Sequence, residues 1–168
     1  ILNCGVKPEK IWISGQGKSK DYLLYALNRG ISHFNIESIH ELDILAKILK
    51  NQENIYCNIR VNPNFTNKES ILKMGGCSSA FGVDEDDIIY ILHSKYGSLI
   101  NGLFIYAGSQ YFKAEDIIKN TKYCFSFAKR IFDATGLKIK SLDLGGGFGV
   151  PETETNAELD IIELQYGL

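Results

Sequence analysis

The stretch 141–151, "SLDLGGGFGVP", joins an apolar, strand-like run to three consecutive glycines, Gly145, Gly146 and Gly147. Glycine loses more backbone entropy on folding than any other residue, so a triplet directly behind a buried strand weakens the fold unless it serves a purpose. Residues without side chains let backbone N–H groups approach an anion closely, and a tight turn directs several of them at one phosphate. The triplet therefore predicts a phosphate-binding turn at the end of a strand.

Short apolar runs alternate with helical patterns through the rest of the chain. The patterns predict strands at 11–13, 33–36, 55–61, 99–106 and 138–144. They predict helices at 19–29, 41–50, 84–93, 114–135 and 155–165, with a polar, glycine-rich stretch over 64–82. Ser38 is placed to cap the second helix, with Glu41 completing a capping box.

This alternation predicts an α/β fold with a parallel sheet, because crossovers between parallel strands need a dozen or more residues. Five such units fit either a doubly wound sheet or part of a (β/α)8 TIM barrel. An intact barrel usually takes about 250 residues. A chain of 168 residues is too short to close one, so a barrel here would be a partial barrel.

Composition limits the possible functions. The chain has 18 basic and 20 acidic residues and is 45% apolar, which predicts one domain and gives no indication of binding to nucleic acid or to an anionic membrane. The four cysteines form no CxxC pair, so we expect reduced, mostly buried thiols and no metal site. The chain begins at Ile1 without a visible secretory signal, and a cytoplasmic location is the default expectation.

In both architectures ligands bind at the carboxyl ends of the strands. The loop "SGQGKS" at 14–19 lacks the spacing of a nucleotide P-loop and is more typical of a strand-to-helix turn. Arg60 has two interpretations, a binding residue or an inward-pointing partner of a carboxylate such as Glu37. Ser109 is either the cap of the next segment or a second phosphate donor beside the glycines.

Five motifs, "FNIES…EL", "IRVNP", "SAFGVDED", "GLFIYAGSQ" and "LDLGGGFGVP", occur in an order and at a spacing that resemble one family over nearly the whole chain. This family is the pyridoxal-phosphate-dependent decarboxylases of the alanine-racemase-like barrel fold, which includes diaminopimelate, ornithine and arginine decarboxylases. The "AGSQ", "GGCSSAFGVDED" and "SGQGKS" forms resemble a subgroup from antibiotic and exosortase-associated gene clusters. Some of its members act on an amino acid tethered to an acyl carrier protein.

The resemblance implies roles for six residues toward the cofactor pyridoxal 5'-phosphate. Backbone N–H groups of the three glycines and the Ser109 hydroxyl would bind its phosphate, and Arg60 would lie beneath its pyridine ring. Tyr106 stands where better-known members have a histidine that stacks on the ring. Tyrosine can stack, but it cannot become a cation near neutral pH. No catalytic residue is assigned within the chain.

The resemblance also implies that residues 1–168 are the central part of the cofactor-binding barrel. The lysine that binds the cofactor covalently would lie upstream, and a carboxylate for the pyridine nitrogen and a C-terminal β-domain would lie downstream. The chain alone is therefore expected to be inactive, and the full-length protein to be a cytoplasmic homodimer that decarboxylates a small amino acid, either free or tethered to a carrier protein.

Two alternatives remain open from the sequence. One is a non-catalytic relative that acts as a binding or homeostasis protein, suggested by Tyr106 in place of histidine. The other is an unrelated barrel enzyme with a phosphorylated substrate, which explains the glycines and Ser109 but not "IRVNP" and "SAFGVDED" in order.

Overall fold

The computed structural model describes residues 1–49, 54–64, 72–73, 81–151 and 158–168. The strands are β1 Trp12–Ile13, β2 His33–Ile36, β3 Tyr56–Asn62, β4 Leu72–Lys73, β5 Val83–Asp84, β6 Ile100–Ile105, β7 Gly108–Ser109 and β8 Ser141–Asp143. The helices are α1 Lys20–Asn28, α2 Ile39–Leu49, α3 Glu85–His93, α4 Ala114–Thr135 and α5 Ile161–Gly167.

The predicted strands and the first four helices are confirmed, most of them within two residues of the predicted ends. The last strand is shorter than predicted, since its ladder with β6 begins only at Ser141 and ends at Asp143, whose carboxylate closes the following turn on the Gly145 N–H. The last helix begins at Ile161 rather than 155, since Asp160 caps it by accepting a hydrogen bond from the Glu163 N–H at 2.8 Å. Predictions for Lys50, Cys77, 155–157 and most of the stretch 64–82 lie outside the described residues.

Strand order decides between the two architectures that the sequence left open. The strands β1, β2, β3, β6 and β8 are neighbours in the sheet in the order in which they occur in the chain, and all are parallel. A doubly wound sheet reverses its strand order at a switch point. Successive crossovers in one direction instead place every helix on the same face and curl the sheet into a barrel. The structure is a half-barrel, as the partial-barrel prediction required.

Near its carboxyl end the sheet gains one short strand, β5, and a separate two-stranded sheet forms beside it. The last residues of β3, Val61 and Asn62, extend past the end of β2 and pair with β5. Strand β4, from the glycine-rich stretch, pairs antiparallel with β7. The chain that follows β3 therefore returns to Ser109.

Alternate strand residues pack against the helices and form the hydrophobic core. They are Phe34, Ile36, Cys57, Ile59, Leu103 and Ile105, all fully buried among helix residues such as Leu23, Leu42, Leu45, Ile88 and Ile131. A side chain of this size contributes about 1.5–3 kcal/mol when it is buried completely. The residues that alternate with them, such as Asn35, Asn58 and Arg60, face the concave inner side of the half-barrel, where polar groups predominate.

One row of the inner face is organised by Gly102. The register places Asn58, Gly102 and Ser141 side by side on three adjacent strands. The Ser141 hydroxyl donates to Asn58 Oδ1 at 2.5 Å, across the glycine. A Cβ added to Gly102 would lie 2.0 Å from Ser141 Oγ and 2.1 Å from Asn58 Oδ1. A side chain at this position is incompatible with the hydrogen bond.

A β-bulge sets this register. The pairing between β3 and β6 shifts between Cys57 and Asn58, so that Asn101 is left without a paired residue on β3. The Asn101 Oδ1 accepts the Cys57 N–H at 2.6 Å and satisfies the backbone donor next to the shift. The bulge therefore turns Gly102, rather than Asn101, toward the inner face.

A hydrogen bond across the inner face shows how strongly the sheet is curved. Asn35 of β2 donates through Nδ2 to Asp143 Oδ2 of β8 at 3.3 Å. Strands β3 and β6 lie between β2 and β8, and neighbouring strands are about 4.8 Å apart. In a flat sheet β2 and β8 would be about 14 Å apart. Direct contact between their side chains requires the curvature of a barrel.

The described cysteines behave as the composition suggests. Cys57 and Cys124 are buried, and burial raises the pKa of each thiol to about 12, whereas Cys4 is exposed. Within the described ranges, no group of three or more His, Cys, Asp or Glu side chains is placed to hold a metal ion. Among the same residues, no helix is long and apolar enough to cross a membrane.

The substitution Gly102→Ala should lower the free energy of unfolding by about 1–3 kcal/mol, because the added methyl group overpacks a closed polar row. Urea unfolding of the full-length protein without cofactor measures the effect. Gly146→Ala is the control, since its Cβ would meet nothing within 4 Å, and its stability should stay close to wild type. Equal stability of the two variants would contradict the assigned role of Gly102.

Candidate functional site

The residues predicted to bind the cofactor lie together at the carboxyl ends of three adjacent strands. Arg60 is in β3, Tyr106 follows β6, and the glycines follow β8. The Arg60 guanidinium lies 5.8 Å from the centre of the Tyr106 ring. The Tyr106 hydroxyl is hydrogen-bonded to the hydroxyl of Ser109. The six residues therefore form one site.

Arg60 forms a buried ion pair with Glu37. Its Nη1 donates to both carboxylate oxygens, at 3.0 and 3.2 Å, and the two residues are 8% and 3% exposed. The guanidinium also lies over the rings of Phe81 and Phe104, at 4.8 and 5.2 Å. The structure shows the pairing with Glu37, one of the two interpretations that the sequence left open for Arg60, and this pairing fixes the guanidinium in the floor of the site.

A second buried ion pair supports the first. Lys18 Nζ lies 2.8 Å from Glu41 Oε2 and also donates to the Gly15 carbonyl. Glu41 accepts the N–H groups of Lys18 and Glu37, at 3.2 and 2.9 Å, and Glu37 accepts the Gly15 N–H at 3.2 Å. The two pairs thus join the loop after β1 to the end of β2 and to β3.

The predicted capping box at the start of α2 is correct in one half. The Ser38 hydroxyl accepts the Glu41 N–H at 3.2 Å, as expected of an N-cap. The Glu41 carboxylate, however, accepts the Glu37 N–H instead of returning to Ser38. The Glu41 carboxylate forms an ion pair with Lys18, which holds it away from Ser38. Lys18 lies 23 residues earlier in the chain and reaches Glu41 only through the tertiary fold.

Two of the three glycines require their lack of a side chain. Gly145 and Gly147 have φ values of +70° and +86°, in the left-handed region. A Cβ on Gly145 would lie 2.6 Å from Tyr106 Cδ2, and one on Gly147 would lie 2.2 Å from the Gly108 carbonyl oxygen. Gly146 faces open space, with nothing within 4 Å.

The N–H groups of the turn differ in availability. Gly145 donates its N–H to Asp143 Oδ1 at 2.9 Å, which closes the turn. Within the described part of the chain, the N–H groups of Gly146 and Gly147 have no hydrogen-bond partner. Gly146 is exposed and Gly147 is half-buried, so these two residues carry the unpaired donors at the turn where the sequence predicts a phosphate.

The turn is fixed beside Ser109 by the chain that follows it. The Gly147 carbonyl accepts the Tyr111 N–H at 2.9 Å, and the Tyr111 carbonyl accepts the Gly149 N–H at 2.8 Å. The Val150 N–H donates to Gln110 Oε1 at 3.1 Å. The site thus combines backbone donors, a hydroxyl, an aromatic ring and a fixed cation, which fit a flat ring that carries a phosphate.

Comparison with known proteins agrees with this chemistry. Residues 1–166 match the family model described as "Pyridoxal-dependent decarboxylase, pyridoxal binding domain". The chain belongs to this family. The cofactor of the pyridoxal-binding domain is pyridoxal phosphate. The close packing of Gly145 against Tyr106 and of Gly147 against Gly108 holds the turn as a cradle, in which the unpaired N–H groups of Gly146 and Gly147 are the kind of donors that a phosphate group takes.

Relatives of the domain include several decarboxylases. The L-glutamyl-[BtrI acyl-carrier protein] decarboxylase of Niallia circulans is 31% identical over 163 residues, which are 95% of this chain and 38% of the relative. The diaminopimelate decarboxylase of Aquifex aeolicus is 34% identical over 168 residues, 95% of this chain and 40% of the relative. The crystal structure of Helicobacter pylori diaminopimelate decarboxylase complexed with L-lysine aligns with a TM-score of 0.80 at 30% identity, over 99% of this chain and 43% of that one. The chain therefore spans about two fifths of the length of these relatives.

Sequence reasoning missed the part played by Asp143. Its carboxylate bonds to the Gly145 N–H with one oxygen and to Asn35 with the other. An aspartate in an apolar strand next to a glycine triplet is a local signal for this role. Asn35 carries no comparable signal, because its partner lies 108 residues away.

The substitution Glu37→Gln should lower the free energy of unfolding of the pyridoxal-binding domain by about 3–5 kcal/mol, because it leaves the Arg60 charge buried without its counter-charge. The double variant Glu37→Gln/Arg60→Met removes both charges and should be more stable than Glu37→Gln alone. Urea unfolding of the full-length protein compares them, with the exposed Glu163→Gln as control. A double variant that is less stable than Glu37→Gln would show that the unpaired Arg60 charge is not the cause of the destabilisation.

The substitution Gly147→Ala should weaken pyridoxal phosphate binding at least about tenfold, since its Cβ displaces the Gly108 carbonyl and, with it, Ser109. Spectroscopic titration of the full-length protein with the cofactor measures the affinity. Gly136→Ala is the matched control: Gly136 also has a positive φ, +71°, at the end of α4, but its Cβ would meet nothing within 4 Å. The control should lose stability and keep its affinity; equal affinity in both variants would exclude the cradle.

Proposed function

We propose that the full-length protein is a pyridoxal-phosphate-dependent amino acid decarboxylase, in which residues 1–168 form the central part of the cofactor-binding barrel. The observation that carries the proposal is the turn at Gly146 and Gly147, whose N–H groups have no partner among the described residues and whose backbone at Gly147 packs against Gly108 and Ser109. Membership of a decarboxylase family supports the chemistry. The quoted relatives are also decarboxylases, so the non-catalytic alternative and the unrelated phosphate-binding barrel gain no support.

The chain's own residues would bind and orient the cofactor. Gly146, Gly147 and Ser109 would hold its phosphate, and the Tyr106 ring would stack on its pyridine ring. When bound, pyridoxal phosphate supplies an electron-accepting ring that stabilises the charge left by departing carbon dioxide. Residues outside the chain would supply the lysine that attaches the cofactor and the carboxylate for its ring nitrogen.

Arg60 would contribute a cation that is held in a fixed position and whose charge is balanced by a carboxylate. Glu37 holds the guanidinium and balances its charge, so the floor of the site stays close to neutral overall. The rings of Phe81 and Phe104 limit the access of water to this pair. The guanidinium is engaged by the Glu37 carboxylate, so Arg60 is proposed to orient the cofactor and not to act as an acid.

The presence of tyrosine instead of histidine at position 106 would change the chemistry available above the cofactor's pyridine ring. Like histidine it presents an aromatic face, but it does not supply a cation at neutral pH. The full-length protein is therefore proposed to retain ring stacking without the functions that require an imidazolium. Stacking would fix the plane of the cofactor, against which the substrate bond to be broken has to be aligned.

The proposed substrate is a small amino acid, either free or tethered to a carrier protein. One relative is named for a glutamyl group on an acyl carrier protein and another for diaminopimelate, and their identities to this chain are similar, at 31% and 34%. The full-length protein is also proposed to be a cytoplasmic homodimer, on the basis of the family resemblance.

Carbon dioxide release by the full-length protein loaded with pyridoxal phosphate tests the proposal. Diaminopimelate, ornithine, arginine, free glutamate and carrier-bound glutamate are the substrates to compare, and one of them should give release well above background. Ser109→Ala should lower cofactor affinity, whereas the exposed Ser126→Ala on α4 should not. A protein that binds the cofactor but releases no carbon dioxide from any of these compounds would contradict the assignment.

A further inference from the structure

The hydrogen bond between the hydroxyl groups of Tyr106 and Ser109 gives the tyrosine a second function. The residues are three positions apart, and both are partly buried at the edge of the glycine turn. Ser109 is the side chain proposed to bind the cofactor phosphate. Tyr106 therefore contacts the phosphate site through its hydroxyl as well as lining the ring site with its face.

The Tyr106 ring is restrained on two further sides. A Cβ on Gly145 would lie 2.6 Å from Tyr106 Cδ2, so the ring is packed directly against the glycine backbone. The Arg60 guanidinium lies 5.8 Å from the ring centre. With the ring held by Gly145 and Arg60, its hydroxyl is placed on Ser109 without a large loss of side-chain freedom on ligand binding.

The chemistry of the two hydroxyl groups determines the direction of the hydrogen bonds when an anion is present. A serine hydroxyl has one proton to donate and can accept at the same time, and a tyrosine hydroxyl has one proton. A phosphate dianion only accepts hydrogen bonds. All groups are satisfied when Tyr106 donates to Ser109 and Ser109 donates to the phosphate; the reverse order would direct the oxygen lone pairs of a hydroxyl at an anion.

We propose that Tyr106 and Ser109 form a two-hydroxyl relay that makes the site selective for a phosphorylated ligand. The proposal rests on the proposed function and assigns Tyr106 as a positioning residue for the phosphate. Donation from Tyr106 polarises the Ser109 hydroxyl and strengthens its charge-assisted hydrogen bond to the phosphate. Phenylalanine would keep the aromatic face and lose this contribution.

The test compares pyridoxal phosphate with pyridoxal in the full-length protein. Both compounds carry the same ring and aldehyde, so the ratio of their dissociation constants isolates the phosphate contribution. Tyr106→Phe should weaken pyridoxal phosphate binding about fivefold and leave pyridoxal binding within about twofold of wild type. Ser109→Ala should weaken the binding of pyridoxal phosphate about tenfold or more and leave the binding of pyridoxal unchanged.

A double-mutant cycle tests whether the two hydroxyl groups act as one unit. In the relay, Tyr106→Phe combined with Ser109→Ala should lose no more phosphate selectivity than Ser109→Ala alone, because the phenol acts through the serine. Tyr90→Phe, on the exposed surface of α3, is the control and should match wild type for both compounds.

Each outcome separates this inference from the proposed function. Wild-type protein that shows no preference for pyridoxal phosphate over pyridoxal would overturn both. A clear preference that Tyr106→Phe leaves unchanged would overturn the relay and keep the cofactor site. If Tyr106→Phe weakens the binding of both compounds equally, Tyr106 is a stacking residue only and the relay is overturned. Additive losses of phosphate selectivity in the double variant would overturn the relay in the same way.

Discussion

The hydrogen bond between Asn35 and Asp143 is the constraint on which the site depends. It links β2 to β8 across two intervening strands and therefore requires a strongly curved sheet. Curvature brings the ends of β2, β3, β6 and β8 around a common concave surface. Without it, the glycine turn after β8 would lie too far from Glu37, at the end of β2, for one small ligand to contact both.

Asp143 connects that curvature to the phosphate turn. One carboxylate oxygen contacts Asn35 and the other accepts the Gly145 N–H, so the same side chain joins the sheet and the turn. Polar groups on a half-barrel's inner face are costly unless they are hydrogen-bonded. Here they are arranged in rows, with Asn58 and Ser141 joined over Gly102 and the ion pair of Glu37 and Arg60 nearer the site. The polar interior thus supports the fold and forms the base of the site.

The sequence predicted the features that depend on local chemistry. Apolar periodicity predicted the ends of α4, Ala114–Thr135, correctly. The glycine triplet indicated the turn, and the carboxyl ends of the strands indicated where Arg60, Tyr106 and Ser109 would meet. The register between the strands could not be predicted from local sequence patterns. The bulge at Asn101 determines that Gly102 faces inward, and only this register explains why residue 102 must be a glycine. The diversion of the Glu41 carboxylate to Lys18 depends on tertiary contact in the same way.

The sequential strand order has a consequence for the biosynthesis of the protein. Because the sheet grows in one direction, each new strand can pair with one that has already left the ribosome. Asp143, the partner of Asn35, is in contrast synthesised 108 residues later, just ahead of Gly145, whose N–H it accepts. We therefore expect the nascent chain to assemble its core first and to acquire the curved site last, when Asp143 emerges. Cofactor capture would then follow the folding of this segment and would not guide it.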